Sequence, residues 1–422
     1  MGRTIGIRHR RKKTAEGESR PTQVTIVDGD QVKTYNLPDD QAELDFVFGL
    51  FPTHWRDRLP QDQPRDFPRH QLKWRKLEAD EDPATLFPPE WVEKRGKKWY
   101  TVAKTPCEFE GLRPDDTIAM PFGGSGDMFA YALVRRAEAV GAEVLRLPFY
   151  RLKQERGKNE EEDALLIARL VDRQRELFCS VQPRDKAIIL MRELHRQRIK
   201  AMQARIACEQ RLWQVCVGQI FTSLAVEVEI EKRFAEEKAN DQILKNLLAL
   251  EDEANARLAE AIQDLDVYQQ VFAPIEGMGP QIAARIIAGI VDIRRFPDRD
   301  KFVAFCGVSP GADGKFRRHR LGETCNWSGA RQGLWLMIRE QANRRPDSVW
   351  GQRFREMKAR QREKHPEEVI ISGKRRFTDS HIHRRSSWPA MVKLARQIYR
   401  EWRKLSNSTV SLQAKTGQDD GD

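Results

Sequence analysis

Residues 117–147 read TIAMPFGGSGDMFAYALVRRAEAVGAEVLRL, and this stretch decides the fold class of the N-terminal part of the chain. Thr117–Met120 is a short apolar run typical of a buried strand, and a glycine-rich turn follows it. An amphipathic helix is predicted over Met128–Val140 and a second strand over Glu143–Leu147. A strand, a helix and a second strand in this order place two parallel strands in one sheet.

Upstream of this unit the sequence predicts three further strands and a short helix. Thr4–Ile7 is short and apolar, and Gln23–Val27 and Gln31–Tyr35 are joined by an Asp-Gly-Asp turn that favours an antiparallel hairpin. Ala42–Leu50 is predicted to be helical. The first domain is therefore expected to be α/β, with an antiparallel hairpin joined to parallel strands.

Residues 53–115 have a different composition, rich in proline, tryptophan and charge and with little periodicity. Repeated prolines interrupt any long helix or strand. We interpret this segment as an insertion that is partly ordered by Trp74, Trp91 and Trp99.

Residues 160–270 are predicted to be almost entirely helical. Two apolar stripes keep heptad spacing, and their members are Ile199, Met202, Ile206, Trp213, Cys216 and Ile220, and then Leu244, Leu247, Ala254, Leu258, Ala261 and Leu265. Such stripes indicate either an antiparallel helical hairpin or a coiled-coil arm that also serves as a dimer seam.

Ile275–Ile287 has the pattern of a helix-hairpin-helix. Gly277 and Gly279 permit a tight turn, and Pro280 suits the first position of a helix. Free amides at such a helix start can bind a phosphate without reading base sequence, so Gly277 and Gly279 are candidate DNA-binding residues. An ordinary turn between two helices is the alternative.

Basic charge is concentrated near the C-terminus. Residues 291–422 hold 29 Lys and Arg against 16 Asp and Glu, whereas the first 290 residues hold 45 against 47. This asymmetry is typical of a polyanion-binding surface. A candidate DNA-binding patch follows a glycine-rich loop and comprises Lys315, Arg317, Arg318, His319 and Arg320, although a solvated run of charge has the same composition.

Glu160 and Asp163 stand at the predicted start of a long helix. Residues three apart share a helix face, so these two are the candidate catalytic and metal-binding carboxylates for a hard divalent ion. Acidic residues in a first turn also interact favourably with the helix dipole without any metal.

The overall composition excludes several classes of protein. No apolar run approaches the ~20 residues that a membrane-spanning helix needs, and we expect no membrane contact. The six cysteines form no Cys-x-x-Cys pair, which favours free thiols in a reducing cytoplasm.

The order of these parts resembles the insertion-sequence family one-ten transposases, whose relatives include the Piv/MooV DNA invertases. The similar stretch runs from Gly277–Pro280 through Ile293–Phe296 and Phe302–Pro310 to Ser328–Leu334. The resemblance implies a RuvC-like, ribonuclease-H-type domain over residues 1–165. It further implies a coiled-coil connector over 166–270, a helix-hairpin-helix transposase domain over 271–345, and a basic helical tail with a disordered end over 346–422.

The same resemblance implies DNA transposition and recombination. In the family, four carboxylates of the RuvC-like domain hold Mg²⁺, a serine of the C-terminal domain attacks the DNA phosphodiester, and a structured RNA guides the reaction. It also suits a homo-oligomer, a dimer or a tetramer.

Several catalytic positions depart from the family pattern. Arg8 stands where the first carboxylate is expected and Pro121 where the second is expected, while the closing pair falls on Glu160 and Asp163. The serine position reads Ala312 or Asp313. Two hypotheses follow: an active transposase that uses Mg²⁺, and a catalytically inactive relative that binds DNA or RNA as a regulatory module.

Overall fold

The computed structural model describes residues 2–10, 20–78, 81–83, 89–122, 126–156, 160–181, 183–223, 229–310, 328–371 and 374–416. It divides into two units, Met1–Val181 and Gln182–Asp422. The first unit is α/β and the second is mainly helical, which confirms the predicted mixed fold class. Among the described helices, none has the length and apolarity required to cross a lipid bilayer. The finer division into four regions stays a prediction.

A six-stranded mixed sheet forms the centre of the first unit. Its strands, in spatial order, are β10 (Cys179–Ser180), β9 (Glu143–Leu147), β8 (Thr117–Pro121), β1 (Thr4–Arg8), β2 (Thr22–Asp28) and β3 (Gln31–Leu37). β1 pairs in parallel with β8, β8 with β9, and the β1–β2 and β2–β3 pairs are antiparallel. The predicted hairpin and parallel pair are therefore both present.

Helices cover both faces of this sheet because its central strands are apolar on both sides. These helices are α1 (Asp40–Phe48), α2 (Gly126–Val140), α3 (Phe149–Glu155) and α4 (Asp163–Arg173). α1 and α2 contribute Phe46, Phe129 and Leu133 to one core, and α3 and α4 contribute Leu152 and Ile167 to another.

Gly6 lets α4 lie directly on β1. A Cβ atom added at this glycine would stand 1.9 Å from the carbonyl oxygen of Ala164 and 2.6 Å from the amide nitrogen of Ala168. Any larger residue would push the helix off the sheet. This contact places the first residues of α4 above β1.

The segment interpreted as an insertion contains a second sheet that the sequence analysis missed. Its strands are β4 (Phe51–Asp57), β5 (Lys73–Lys76), β6 (Val92–Arg95) and β7 (Lys98–Glu110), with β7 paired to the other three. Several of the prolines lie in or directly before short 3₁₀ turns at Pro64–Asp66, Arg69–Gln71 and Pro89–Trp91. The strands lack alternation because the core is small: Trp91, Leu72 and Val102 are buried, Trp74 is partly buried, and Trp99 is exposed.

The second unit contains eight helices among its described residues. They are α5 (Pro183–Thr222), α6 (Ile230–Asn240), α7 (Gln242–Gln263), α8 (Pro280–Ile290), α9 (Arg299–Phe305), α10 (Gly329–Leu336), α11 (Val349–Lys364) and α12 (Asp379–Thr416). Two π-helical turns, Tyr268–Phe272 and Met337–Ala342, precede α8 and follow α10. A small hairpin of β11 (Val369–Ile371) and β12 (Lys374–Arg376) separates α11 from α12.

α5 and α7 form an antiparallel pair, one of the two arrangements expected from the heptad stripes. Arg198 donates to Asn255 at 2.9 Å and Arg205 to Glu251 at 2.6 Å. The later residue of α5 thus contacts the earlier residue of α7, as in an antiparallel pair. The stripes are only partly covered: Cys216 and Leu258 are buried, whereas Trp213 is 38% exposed.

The C-terminal segment predicted as a basic tail packs into the second unit. Leu394 and Ile398 of α12 are fully buried, and Trp402 meets Phe272 edge to face at 5.9 Å between ring centroids. The apolar face of α12 is the reason, because a helix with such a face must bury it against a neighbour. Residues 417–422, predicted to be disordered, lie outside the described residues.

Candidate functional site

The two candidate catalytic carboxylates lie together, and one arginine bridges them. Arg156 donates from Nη2 to Glu160 Oε1 at 2.9 Å and from Nη1 to Asp163 Oδ2 at 3.1 Å. Arg20 lies 3.8 Å from the second oxygen of Glu160. The sequence analysis expected both acids on one face of a helix, but α4 begins at Asp163 and Glu160 lies before its N-cap residue, Glu162. It also missed Arg156, which brings the two carboxylates together.

Asp163 is the more buried of the two carboxylates, with a side chain 6% exposed. Burial raises the pKa of the Asp163 carboxyl above its ordinary value, while Arg156 and, more weakly, Arg8 act in the opposite direction. Its Oδ1 atom accepts no hydrogen bond from the described residues. The site therefore holds a buried carboxylate whose charge is balanced by arginines.

These residues do not suit a Mg²⁺ ion. A magnesium site needs several oxygen ligands in octahedral geometry, whereas both carboxylates here accept hydrogen bonds from a guanidinium. Arg8 adds a further positive charge close to Asp163. Within the described ranges, no three His, Cys, Asp or Glu side chains are grouped closely enough to hold a metal.

A second acid–arginine pair lies at the same edge of the sheet. Asp127 stands in the first turn of α2, and Arg146 of β9 donates to it at 2.7 Å and to the carbonyl of Pro121 at 3.0 Å. Both side chains are buried, at 2% and 3% exposure. The sequence offered one signal for this pair, because Arg146 stands between the apolar residues Leu145 and Leu147 and a buried arginine requires a partner.

In the second unit, the turn before α8 has the conformation that its glycines permit. Gly277 has φ +90°, and Gly279 is the N-cap residue that precedes Pro280 at the first helical position. Space around Gly279 is open, since an added Cβ would meet no atom within 4 Å. Gly277 faces Gln341, whose Cβ would lie 3.0 Å from an added Cβ. Of the two candidate glycines, Gly279 is therefore the more accessible.

Close helix packing holds the rest of α8 in place. Ala283 and Ala284 are fully buried, and Gly333 of α10 approaches Ile286 so closely that an added Cβ would lie 2.4 Å from its side chain. Gly289 faces the backbone of Ala330 in the same way. Small residues on both helices thus fix the direction in which the first amides of α8 point.

Basic side chains surround the start of α8. Arg198 shares Asn255 with Gln281 of the first turn, and Arg285 lies one turn further along the helix. Burial, together with Arg285 and Arg198, lowers the pKa of His195 to about 4. Burial and Arg198 lower the pKa of Arg285 as well. Two arginines therefore lie near this helix start, and Glu251 stands 3.8 Å from one of them, Arg198.

The basic patch of Lys315, Arg317, Arg318, His319 and Arg320 lies outside the described residues, as do the serine position at 312 and 313 and the turn 123–125. Their roles stay predictions.

The start of α8 is therefore an open, glycine-capped turn that close packing against α10 holds in place. Residues 269–346 match the model of the protein family described as Transposase IS116/IS110/IS902. The resemblance to insertion-sequence family one-ten transposases is thereby confirmed over these residues. No curated protein matches the chain.

Proposed function

We propose that this protein binds DNA through its second unit and acts in the transposition and site-specific recombination of an insertion sequence. One observation carries the proposal: the residues that match the transposase family include the open, glycine-capped start of α8 and Arg285 one turn along it. Amides at a helix N-terminus bind a phosphate oxygen favourably, and arginines add charge-assisted bonds. This is a helix-hairpin-helix mode of binding, which holds the DNA backbone without selecting a sequence.

The strand order of the first unit supports a RuvC-like, ribonuclease-H-type fold. Three antiparallel strands, β3, β2 and β1, continue into the parallel strands β8 and β9, and helices cover both faces. We propose that the first unit corresponds to the RuvC-like domain of the family.

A structured guide RNA and further copies of this chain are the proposed partners, in the cytoplasm. Apolar side chains stand exposed on the helical pair, with Phe221 at 77% and Ile243 at 65% exposure. Exposed apolar residues of this size on a helix favour a dimer or a tetramer.

A catalytically inactive relative is the second candidate, and the bridging of Glu160 and Asp163 by Arg156 favours it. A guanidinium between two carboxylates satisfies the charge that a metal would otherwise balance. In this candidate the protein binds DNA or RNA as a regulatory module and leaves the phosphodiester intact.

Strand exchange separates the two candidates. The purified chain, with any RNA that co-purifies, is incubated with DNA that carries its own flanking sequence, in Mg²⁺ and in EDTA. The variants are Asp163→Ala and, as a matched control, Glu155→Ala, which removes an exposed acid at the end of α3.

Exchange products in Mg²⁺ that are lost in Asp163→Ala but kept in Glu155→Ala would establish the active transposase. DNA binding by all three proteins without products in either condition would establish the inactive relative. Absence of any DNA or RNA binding by the unaltered chain would refute the proposed function in both forms.

A further inference from the structure

A basic groove lies between α11 and α12, mostly beyond the residues that match the transposase family. Its volume is about 760 Å³, and eight basic side chains line it against one carboxylate, Glu356. α12 supplies Lys393, Arg396, Arg400, Arg403 and Lys404; α11 supplies Arg353 and Arg360, and Arg299 comes from α9.

The basic residues follow helical spacing on each wall of the groove. On α12 they stand at intervals of three or four residues from Lys393 to Arg403, with Lys404 directly after. On α11, Arg353 and Arg360 are two turns apart. A helix rises 1.5 Å per residue, so the α12 stripe is roughly 16 Å long. The opposite face of α12 is buried, which holds this stripe towards the groove.

Carboxylates near the groove do not balance its charge. Asp300 lies 3.0 Å from Arg396, Glu401 lies 2.8 Å from Arg400, and Glu356 lies 4.0 Å from Arg360. Three acids against eight bases leave an excess of about five positive charges among the described residues. A run of solvated charge would alternate in sign along one exposed face, whereas here two facing walls carry the same sign.

Like charges placed close together on one helix face destabilise it. This arrangement therefore requires the packing of the helical unit to hold it, and a bound polyanion would relieve the repulsion. A concave surface of one sign also concentrates the electric field within it.

We propose that this groove binds the sugar-phosphate backbone of a nucleic acid, as a second contact surface in addition to the α8 turn. The inference rests on the proposed function. Arginine and lysine in a groove can contact several consecutive phosphates, and each contact releases counterions from the nucleic acid. Such contacts read no base sequence, so the groove contributes affinity and orientation rather than selectivity.

The salt dependence of binding by the full chain tests the groove. The groove variant is Arg360→Ala/Lys393→Ala/Arg400→Ala. These residues are exposed, and the acids that pair with the two arginines, Glu356 and Glu401, belong to the same helices. The control variant is Arg196→Ala/Arg233→Ala/Arg257→Ala, which removes the same charge from exposed positions that also pair with same-helix glutamates. Probes are a duplex DNA and a structured RNA of mixed sequence, each followed by fluorescence anisotropy over a series of KCl concentrations.

Each lost phosphate contact flattens the plot of log K against log salt by about 0.9 for duplex DNA, so the groove variant should lose up to about 3 in slope. At 0.1 M salt this corresponds to affinity weaker by on the order of a hundredfold. The control variant should keep a slope close to that of the unaltered chain. The variant Arg360→Lys/Arg400→Lys keeps all the groove's charges and should bind like the unaltered chain, because a phosphate backbone accepts either cation.

A smaller slope with either or both probes supports the proposal. If the slope falls with only one probe, that probe also identifies which nucleic acid occupies the groove. Equal slopes for the groove and control variants would overturn the groove while leaving the proposed function intact. If the unaltered chain binds neither probe, the proposed function itself is refuted, and the groove with it.

Discussion

In the first unit, arginines are held against buried carboxylates, whereas on α11 and α12 of the second unit they line an open groove in excess of carboxylates. Arg3 bonds Glu110 and Asp116, and Arg146 bonds Asp127. Arg156 joins Glu160 and Asp163 in the same way. The groove between α11 and α12 has eight basic side chains and three nearby acids. The comparison shows that arginine content alone does not locate a polyanion-binding surface: the decisive quantity is the charge left after internal pairing.

The largest expected effect is loss of stability when a paired arginine of the first unit is removed. Arg146→Met removes the guanidinium that pairs with the buried Asp127 carboxylate, so the free energy of unfolding should fall by about 3–5 kcal/mol. Arg400→Ala in the groove should change it by no more than about 0.5 kcal/mol. Urea denaturation followed by circular dichroism measures both values.

The double variant Arg146→Met/Asp127→Leu controls for this change, and it should recover most of the lost stability because no charge stays buried. Equal losses of unfolding free energy for Arg146→Met and Arg400→Ala would show that arginines of the two units contribute equally to stability.

A smaller effect is expected from disturbing the contact that places α4 over β1. Gly6→Ala would bring a methyl group against the backbone of Ala164 and should lower stability by about 1–3 kcal/mol. Gly218→Ala in α5 meets no atom within 4 Å and should raise stability by about 0.5–1 kcal/mol. Thermal unfolding measures both changes, and the melting temperature should fall for Gly6→Ala and rise for Gly218→Ala. A stabilising Gly6→Ala would disprove the close packing of α4 on β1.

A further effect concerns the pH dependence of the second unit. The folded protein keeps His195 neutral, with its pKa near 4 against an ordinary value of 6.5, because of burial and the nearby Arg285 and Arg198. Stability from this residue is therefore complete above pH 6.5 and is lost as the pH falls towards 4, where the unfolded chain binds the proton more readily.

Replacing His195 with Gln should flatten the decline in stability between pH 6.5 and 4, as measured by urea titrations across that range. His54→Gln serves as the control, because His54 is an exposed residue of β4 beside Glu108. An unchanged pH profile for His195→Gln would show that burial does not keep His195 neutral in the folded protein.

Much of the fold could be predicted because its signals are local. The Asp-Gly turn, the apolar runs and the glycine that ends α2 predicted five strands of the central sheet and α2 within two residues. The short edge strand β10 was missed, because it lies in a stretch predicted to be almost entirely helical. The turn at Gly277–Pro280 and the family resemblance over residues 269–346 were also present in short motifs. The second sheet was missed because its core is too small to impose alternation on its strands.

By itself the sequence determined the α/β and helical classes, the position of Asp163 at a helix start, and the excess of basic charge in residues 291–422. Only the tertiary structure decided which charges cancel. Arg156 reaches Asp163 and Arg146 reaches Asp127 across gaps of 7 and 19 residues. Facing helices bring Arg360 and Arg400 into one groove. Electrostatic energy depends on distance and burial, and neither is written in the order of residues along the chain.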